Sequence, residues 1–443
     1  MAEIAPLTPL RYDLARLSGG LASVISPPYD VISPAERAAL AARDPHNIVR
    51  LILPDGDGDT KYARAAELLA RWRSDGVLVR DLEPSFYRFD QTFTPPGDGG
   101  MRAITRRGFL ALVKLVPLAD RVVLPHERTL SGPKEDRLKL FRATGTNLSP
   151  GFMLYRDPRG ELDGPLAEGE PIAEMDTPDG VHHALARVRS GGALRAIVEG
   201  VARSKLLIAD GHHRYETAVR YGEEVSAAHP GAPPRAEHRF FLTFLVNGDD
   251  PHLVVFPTHR HVHSLDSFSF DELVRQVRDT FLVAELSRGA ESEEIVAALR
   301  RAGDRGPSVA AAAPDGRVIV LTLRQDAPLD MHPTLGQKPK VLRTTDVTLL
   351  HAGILEHILG ITPQAQAAKT NLYYPQDAKA ALGAIRSGNG NVLFLMNATP
   401  VAHVREVAEA GEVMPQKSTF FYPKVPTGLA IHTLDPARVV GSV

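Results

Sequence analysis

The sequence predicts a mixed α/β (α+β) fold. Short apolar runs of strand length, such as Leu206-Leu207-Ile208 and Phe240 to Val246, recur along the chain, and segments of helical period such as Tyr62 to Trp72 stand between them. Length supports the same class: 443 residues give room for two or three cores on a scale of about 100 to 200 residues per domain. With 43% hydrophobic and 23% charged residues, the composition is that of a globular chain.

Composition also excludes chemistry. The chain has no cysteine, so disulfides, thiolate metal sites and cysteine nucleophiles are ruled out. Basic residues (51) and acidic residues (53) nearly cancel and no basic run stands out, which argues against nucleic acid as the partner. No apolar run approaches the roughly 20 residues that cross a bilayer, and Met1-Ala-Glu-Ile-Ala-Pro-Leu7 lacks a secretory pattern, so no membrane partner and a cytoplasmic location are expected.

In chain order, Ser26-Pro-Pro-Tyr-Asp-Val-Ile32 reads as a turn whose paired prolines lead into a strand start. Ser33, Pro34 and Glu36 form an N-cap, a first helical proline and a capping-box acid. Asn47 to Pro54 reads as a short strand, and Tyr62 to Trp72 as an amphipathic helix. The acidic loop Asp55-Gly-Asp-Gly-Asp59 is no EF-hand, because Thr60 and Ala66 occupy the glycine and glutamate positions. Ser85 to Phe93 and Arg107 to Leu115 read as a hairpin closed by Pro95 to Gly100. A helix follows at Pro133 to Leu140, then strands at Phe240 to Val246 and Leu253 to His263.

Residues 266–335 alternate helix (Phe270 to Phe281), strand (Leu282 to Leu286), helix (Glu293 to Ala302) and strand (Arg317 to Leu323), with only a short alanine run near Ala310 as low complexity. The last third runs helix Asp346 to Leu359, strand Asn371 to Tyr374, helix Asp377 to Ile385, strand Asn391 to Met396 and helix Ala402 to Ala410. Three domains are therefore expected: 1–265, a small α+β module at 266–335, and an α/β module at 336–443 that brings a Lys417/Ser418 segment to the site.

Chemistry concentrates at Ala209-Asp-Gly-His-His-Arg-Tyr-Glu-Thr-Ala218. The apolar strand before it, Gly211 as a turn and the helix opening at Tyr215 place Asp210, His212, His213 and Arg214 at a helix N-terminus, where backbone N–H groups favour an anion. A solvated turn is the plainer alternative, but an acid, a glycine, two imidazoles and a guanidinium in five consecutive positions favour a polyanion site. Three more clusters match it in composition: His126, Glu127 and Thr129 with Lys134 and Arg137; Thr258, His259, Arg260 and His261; and Lys417, Ser418 and Thr419 with Lys424. Cations and imidazoles outnumber carboxylates, which suits phosphate. In that scheme Arg214, Arg260, Lys417 and Lys424 clamp phosphate, and Glu127 or Asp210 is a base or a magnesium ligand. The alternating His259, His261 and His263 support a rival metal-hydrolytic reading. Nucleophile-elbow, P-loop, zinc-protease and Rossmann glycine motifs are missing.

These motifs, Pro27-Pro-Tyr-Asp-Val-Ile-Ser33, His126-Glu-Arg-Thr129, Ala209 to Ala218, Pro257-Thr-His-Arg260 and Met414 to Lys424, resemble in the same order those of a bacterial and archaeal domain-of-unknown-function family, DUF1015. The Asp-Gly-His-His-Arg turn is in addition similar to that of the ParB/sulfiredoxin-like superfamily, which includes kinases acting on free serine. The resemblance implies a ParB/sulfiredoxin-like phosphate-binding core within 1–265, elaborated with further α+β modules. It implies a small-molecule phosphotransferase making O-phosphoserine from L-serine with ATP, ADP or pyrophosphate, and Asp210, His212, His213 and Arg214 at the donor phosphates. Magnesium is the expected cofactor. The catalytic candidates are Glu127, Asp210 and His212; those for phosphate or substrate binding are His126, Thr129, Lys134, Arg137, Gly211, His213, Arg214, His259, Arg260, Lys417, Ser418 and Thr419. A metal-dependent phosphatase of a small phosphate ester and a ParB-like nucleotide-binding regulator are the alternatives.

Overall fold

The computed structural model describes residues 1–95, 102–128 and 131–442. Its helices and strands alternate as a mixed α/β chain, the class expected, and form two compact units. Unit 1 comprises Met1–Pro125, Thr129–Val254 and Pro423–Val443; unit 2 comprises His126–Arg128 and Val255–Tyr422.

Unit 1 is built on one sheet of nine strands: β1 (Ile4–Ala5), β2 (Phe86–Phe93), β3 (Ile104–Lys114), β4 (Val123–Leu124), β5 (Gly151–Tyr155), β6 (Glu170–Asp176), β7 (His182–Val188), β8 (Leu206–Asp210) and β9 (Phe240–Asn247). The spatial order is β4-β8-β5-β9-β3-β2-β7-β6, with β1 on β3. β8 runs parallel to β4 and β9 parallel to β5; the other pairs are antiparallel. The β2–β3 hairpin follows the expected reading, with Phe93 opposite Ile104; part of its connecting loop lies outside the described residues.

Four helices of this unit matter here: α1 (Thr60–Ser74), α2 (Ser131–Thr144), α3 (Gly191–Ala202) and α4 (His212–Ala228). α4 is seated by Tyr215, whose ring meets Phe241 edge-on at 5.7 Å and whose hydroxyl donates to the Val116 carbonyl at 2.8 Å. Burying an aromatic body while satisfying its hydroxyl fixes the helix start against β9. The core around it includes Phe109, Met153, Ile208 and Ile197.

Unit 2 carries a six-stranded antiparallel sheet. Its strands are β10 (Arg260–Val262), β11 (Phe281–Glu285), β12 (Ser308–Ala312), β13 (Val318–Leu323), β14 (Leu372–Tyr373) and β15 (Val392–Met396), ordered β11-β13-β12-β15-β10-β14. The sheet takes strands from 266–335 and from 336–443 alike, so the boundary expected at 335/336 does not separate two cores.

Several local expectations are corrected. Asn47 to Pro54 is not a strand: Val49–Ile52 is a helical turn. Its apolar run is buried all round, a pattern that strand and buried helix share, and Asn47 decides by accepting from the Val49 N–H at 3.0 Å. Tyr29–Val31 is a 3-10 turn rather than a strand start. Leu253 to His263 is two short strands broken at 257–259. The alanine run near Ala310 is the buried strand β12, whose small side chains leave space for Ile295 and Leu299 of the helix Ser292–Gly303. The helix from Asp346 widens into π-helical turns over Leu349–Glu356.

Candidate functional site

Strand β8 ends in Asp210, and Gly211 makes the turn into α4 with φ of 89°. A side chain there is disfavoured twice: L-residues rarely adopt that φ, and a Cβ would lie 3.0 Å from the Arg214 guanidinium carbon. The tight turn puts Asp210 and Arg214 one helical turn apart. Arg214 Nη2 donates to Asp210 Oδ1 at 3.4 Å, and Arg214 Nη1 donates to the Pro150 carbonyl. Gly211, at the N-cap, has no side chain to offer the helix, and His212 and His213 open α4 directly after it.

A second cation reaches Asp210 from the end of the chain. Lys424 Nζ donates to Asp210 Oδ2 at 3.0 Å. The segment is held on the sheet: Gln91 Nε2 donates to the Lys424 carbonyl at 3.2 Å and Arg106 Nη2 donates to the Pro423 carbonyl. Arg106 is fully buried, its guanidinium 4.8 Å from the Phe152 ring centroid, and its Nε and Nη1 have no hydrogen-bond partner among the described residues. Burial lowers its pKa to about 9, against the attraction of Asp210 and Asp250. Burial alone would raise the Asp210 carboxyl; Lys424, Arg214 and His212 hold it well below the usual carboxylate range.

The remaining unit 1 candidates have structural partners. Lys134 pairs with Glu216 at 2.9 Å, tying α2 to α4. Arg137 pairs with Asp136 and donates to the Ile52 carbonyl at 2.7 Å. Arg137 and Arg214 also line one small cavity.

In unit 2 the candidates contact one another. Glu127 Oε1 accepts the backbone N–H groups of Ser418 at 2.9 Å and Thr419 at 3.2 Å. His126 Nε2 lies 2.8 Å from Thr419 Oγ1. Arg260, 1% exposed, donates to His351 Nε2 at 2.9 Å, to the Lys417 carbonyl at 3.1 Å and to the Thr258 carbonyl. Burial brings its pKa to about 10. His351 therefore accepts at Nε2 and donates from Nδ1 to Gln366 Oε1 at 2.8 Å; burial, then Arg260, lower its pKa to about 3. His259 Nδ1 accepts the Met396 N–H at 3.1 Å, and burial brings that imidazole to about 4. Ser418 Oγ donates to the Pro415 carbonyl at 2.5 Å, while the exposed Lys417 takes a left-handed φ of 58°. Thr129 lies outside the described residues.

A protein-held metal does not fit these residues. Both Asp210 oxygens are taken by cations, and among the described residues no group of three His, Asp or Glu could hold an ion. His259, His261 and His263 are no exception: His261 donates to the Asn389 carbonyl, and His263 stacks on Tyr373 at 4.3 Å. Among the described residues no helix is long and apolar enough to cross a membrane.

Sequence reasoning missed Arg106, Gln91 and His351. For Arg106 a signal existed: Gly108, two positions on in the same strand, marks close packing, since a Cβ there would meet the Phe244 ring. His351 lies in an apolar helical run with no motif around it.

No curated protein matches the chain. Among solved structures, a conserved hypothetical protein from Pyrococcus furiosus aligns at 13% identity over 71% of this chain and 93% of its own, with a TM-score of 0.35. A free serine kinase in complex with AMP aligns at 13% identity over 70% and 89%, also at 0.35. SbnI with C-terminal truncation, from Staphylococcus aureus, aligns at 10% identity over 73% and 87%, at 0.36. The description "Protein of unknown function (DUF1015)" matches residues 4–348. With most of its length so matched, the chain belongs to the DUF1015 family.

Proposed function

We propose that the Asp210 cluster of unit 1 is the phosphate-binding centre of a small-molecule phosphotransferase. The observation that carries this reading is charge: one carboxylate, Asp210, answers to Lys424 and Arg214 directly and to the buried Arg106 through space. Cations in excess inside a protein need an anion to compensate them, and the N-terminus of α4, opening at His212, lies beside them. In this reading Arg214 and Lys424 spread the charge of the transferring phosphoryl group.

Asp210 is held too acidic to serve as a base and orients the two cations instead. His212, in the first turn of α4, takes the proton of the acceptor hydroxyl as its oxygen bonds to phosphorus and the donor's P–O bond breaks. The acceptor we propose is free L-serine, on the resemblance of Asp210 to Arg214 to the serine-kinase turn, with ATP, ADP or pyrophosphate as donor. Magnesium enters with the donor and is given no protein ligand.

Serine with each magnesium-bound donor in turn should yield O-phosphoserine with at least one; folded protein that makes none with any donor overturns the serine version. His212→Ala should lower turnover by about 10²–10⁴-fold, as for a lost general base, with thermal unfolding nearly unchanged. Normal turnover in that variant removes His212 from the chemistry.

A further inference from the structure

The Pro27-Pro28-Tyr29 turn has no part in the centre just described, yet Tyr29 lines the cavity of unit 1 shared by Arg137 and Arg214, together with Asn147 and Ser149. The cavity measures about 20 Å³, space for about one water-sized group. Its walls are fixed. Pro28, at φ −58° and ψ 145°, delivers Tyr29 into its 3-10 turn, and the Arg137 guanidinium lies 4.2 Å from the Tyr29 ring centroid. Arg137 is locked there by Asp136 and the Ile52 carbonyl, and Arg214 by Asp210 and the Pro150 carbonyl. Ser149 Oγ accepts from Thr427 Oγ1 at 3.2 Å, which leaves its own proton to be directed elsewhere. Burial and Asp30 keep the Tyr29 hydroxyl protonated, while Arg137 and Arg214 both act on it through space.

We propose that this cavity is a subsite for the terminal oxyanion of a small ligand, a carboxylate or a phosphate, with Tyr29 and Ser149 as hydroxyl donors and Arg137 and Arg214 supplying the charge. Two guanidinium groups lining one small space, with Ile52, Leu140, Phe141 and Leu148 as its apolar wall, recognise an anionic oxygen, and its size excludes a base or a sugar ring. The subsite rests on the reading that unit 1 takes a small anionic ligand. It adds which end of that ligand is gripped: the acceptor's carboxylate or the donor's phosphate.

Calorimetric titration of the full chain with inorganic phosphate and, separately, with acetate tests this without turnover, so its failure is distinct from failure of the kinase assay. Tyr29→Phe removes only a hydroxyl and should weaken one of the two anions by about tenfold, the worth of one hydrogen bond to a charged group. Ser149→Ala should weaken the same anion and keeps the test open if Tyr29→Phe does not fold. A Tyr29 effect on phosphate alone assigns the subsite to the donor; one on acetate alone assigns it to the acceptor. If neither anion binds the unaltered chain, or both folded variants bind both anions normally, the subsite is overturned.

Discussion

Asp210 in unit 1 and Glu127 in unit 2 are both carboxylates set among motifs rich in cations and imidazoles, yet they have opposite surroundings. Asp210 accepts from two side-chain cations and acts through space on a third, Arg106, whose Nε and Nη1 have no partner among the described residues. Glu127 accepts two backbone N–H groups and so pins the turn at Ser418 and Thr419, while the nearby Arg260 is occupied by an imidazole and two carbonyls. A network whose donors and acceptors are matched stabilises a loop; one with surplus charge is, in the function proposed above, completed by a ligand.

Removing each carboxylate tests this contrast most severely. Asp210→Asn leaves its cations facing one another and should lower unfolding stability by about 3–5 kcal/mol, the cost of breaking a buried ion pair. Pyrophosphate should then restore more of the melting temperature than it adds to the unaltered chain, because the anion replaces the lost charge. Glu127→Gln should cost about 1–3 kcal/mol through its weakened backbone hydrogen bonds, with no recovery on adding pyrophosphate and with turnover retained in the folded fraction. Loss of turnover at unchanged stability would instead bring Glu127 into the chemistry.

A smaller effect lies in pH. His259 and His351, held by burial to about 4 and about 3, stay neutral in the folded unit while the unfolded chain takes up protons below about 6.5. Their stabilisation is complete above pH about 6.5 and is lost as pH falls, by up to about 1.4 kcal/mol per unit for each histidine. Both rings accept N–H donors that cannot reverse, from Met396 and Arg260. In unit 1, His183, held by burial to about 4, faces the Thr177 hydroxyl, which can either donate or accept. Asp346 has the opposite sign: raised to about 6 by burial, it stabilises most at low pH and loses that contribution as pH rises through about 6. In urea melts followed by circular dichroism from pH 7.5 to 5, the midpoint should fall with pH, because buried histidines of both units, His183 and His238 as well as His259 and His351, are held neutral only in the folded chain.

Much of the fold was legible because its signals are local. The capping box at Ser33 and Glu36 forms as the spacing predicts, and β8, Gly211 and α4 follow one another as apolar run, turn residue and helix. Legibility failed where burial is complete, since Val49–Ile52 and Ser308–Ala312 show no alternation to read. In the site, the strand-to-helix turn could be read directly. The state of the unit 2 cluster could not: the same residue types serve as phosphate donors or as loop ties depending on partners such as His351, which no motif marks.

The sequence by itself determined where charge is concentrated and that Asp210 to Arg214 stand at a helix start, because turn chemistry and period act over a few residues. Tertiary structure alone decided which cations serve that carboxylate. Lys424 lies 214 positions from Asp210, and Arg106 reaches the same sheet face only through the order β8-β5-β9-β3. Pairing across such distances is set by how the strands assemble, which is a property of the whole packed sheet rather than of any segment.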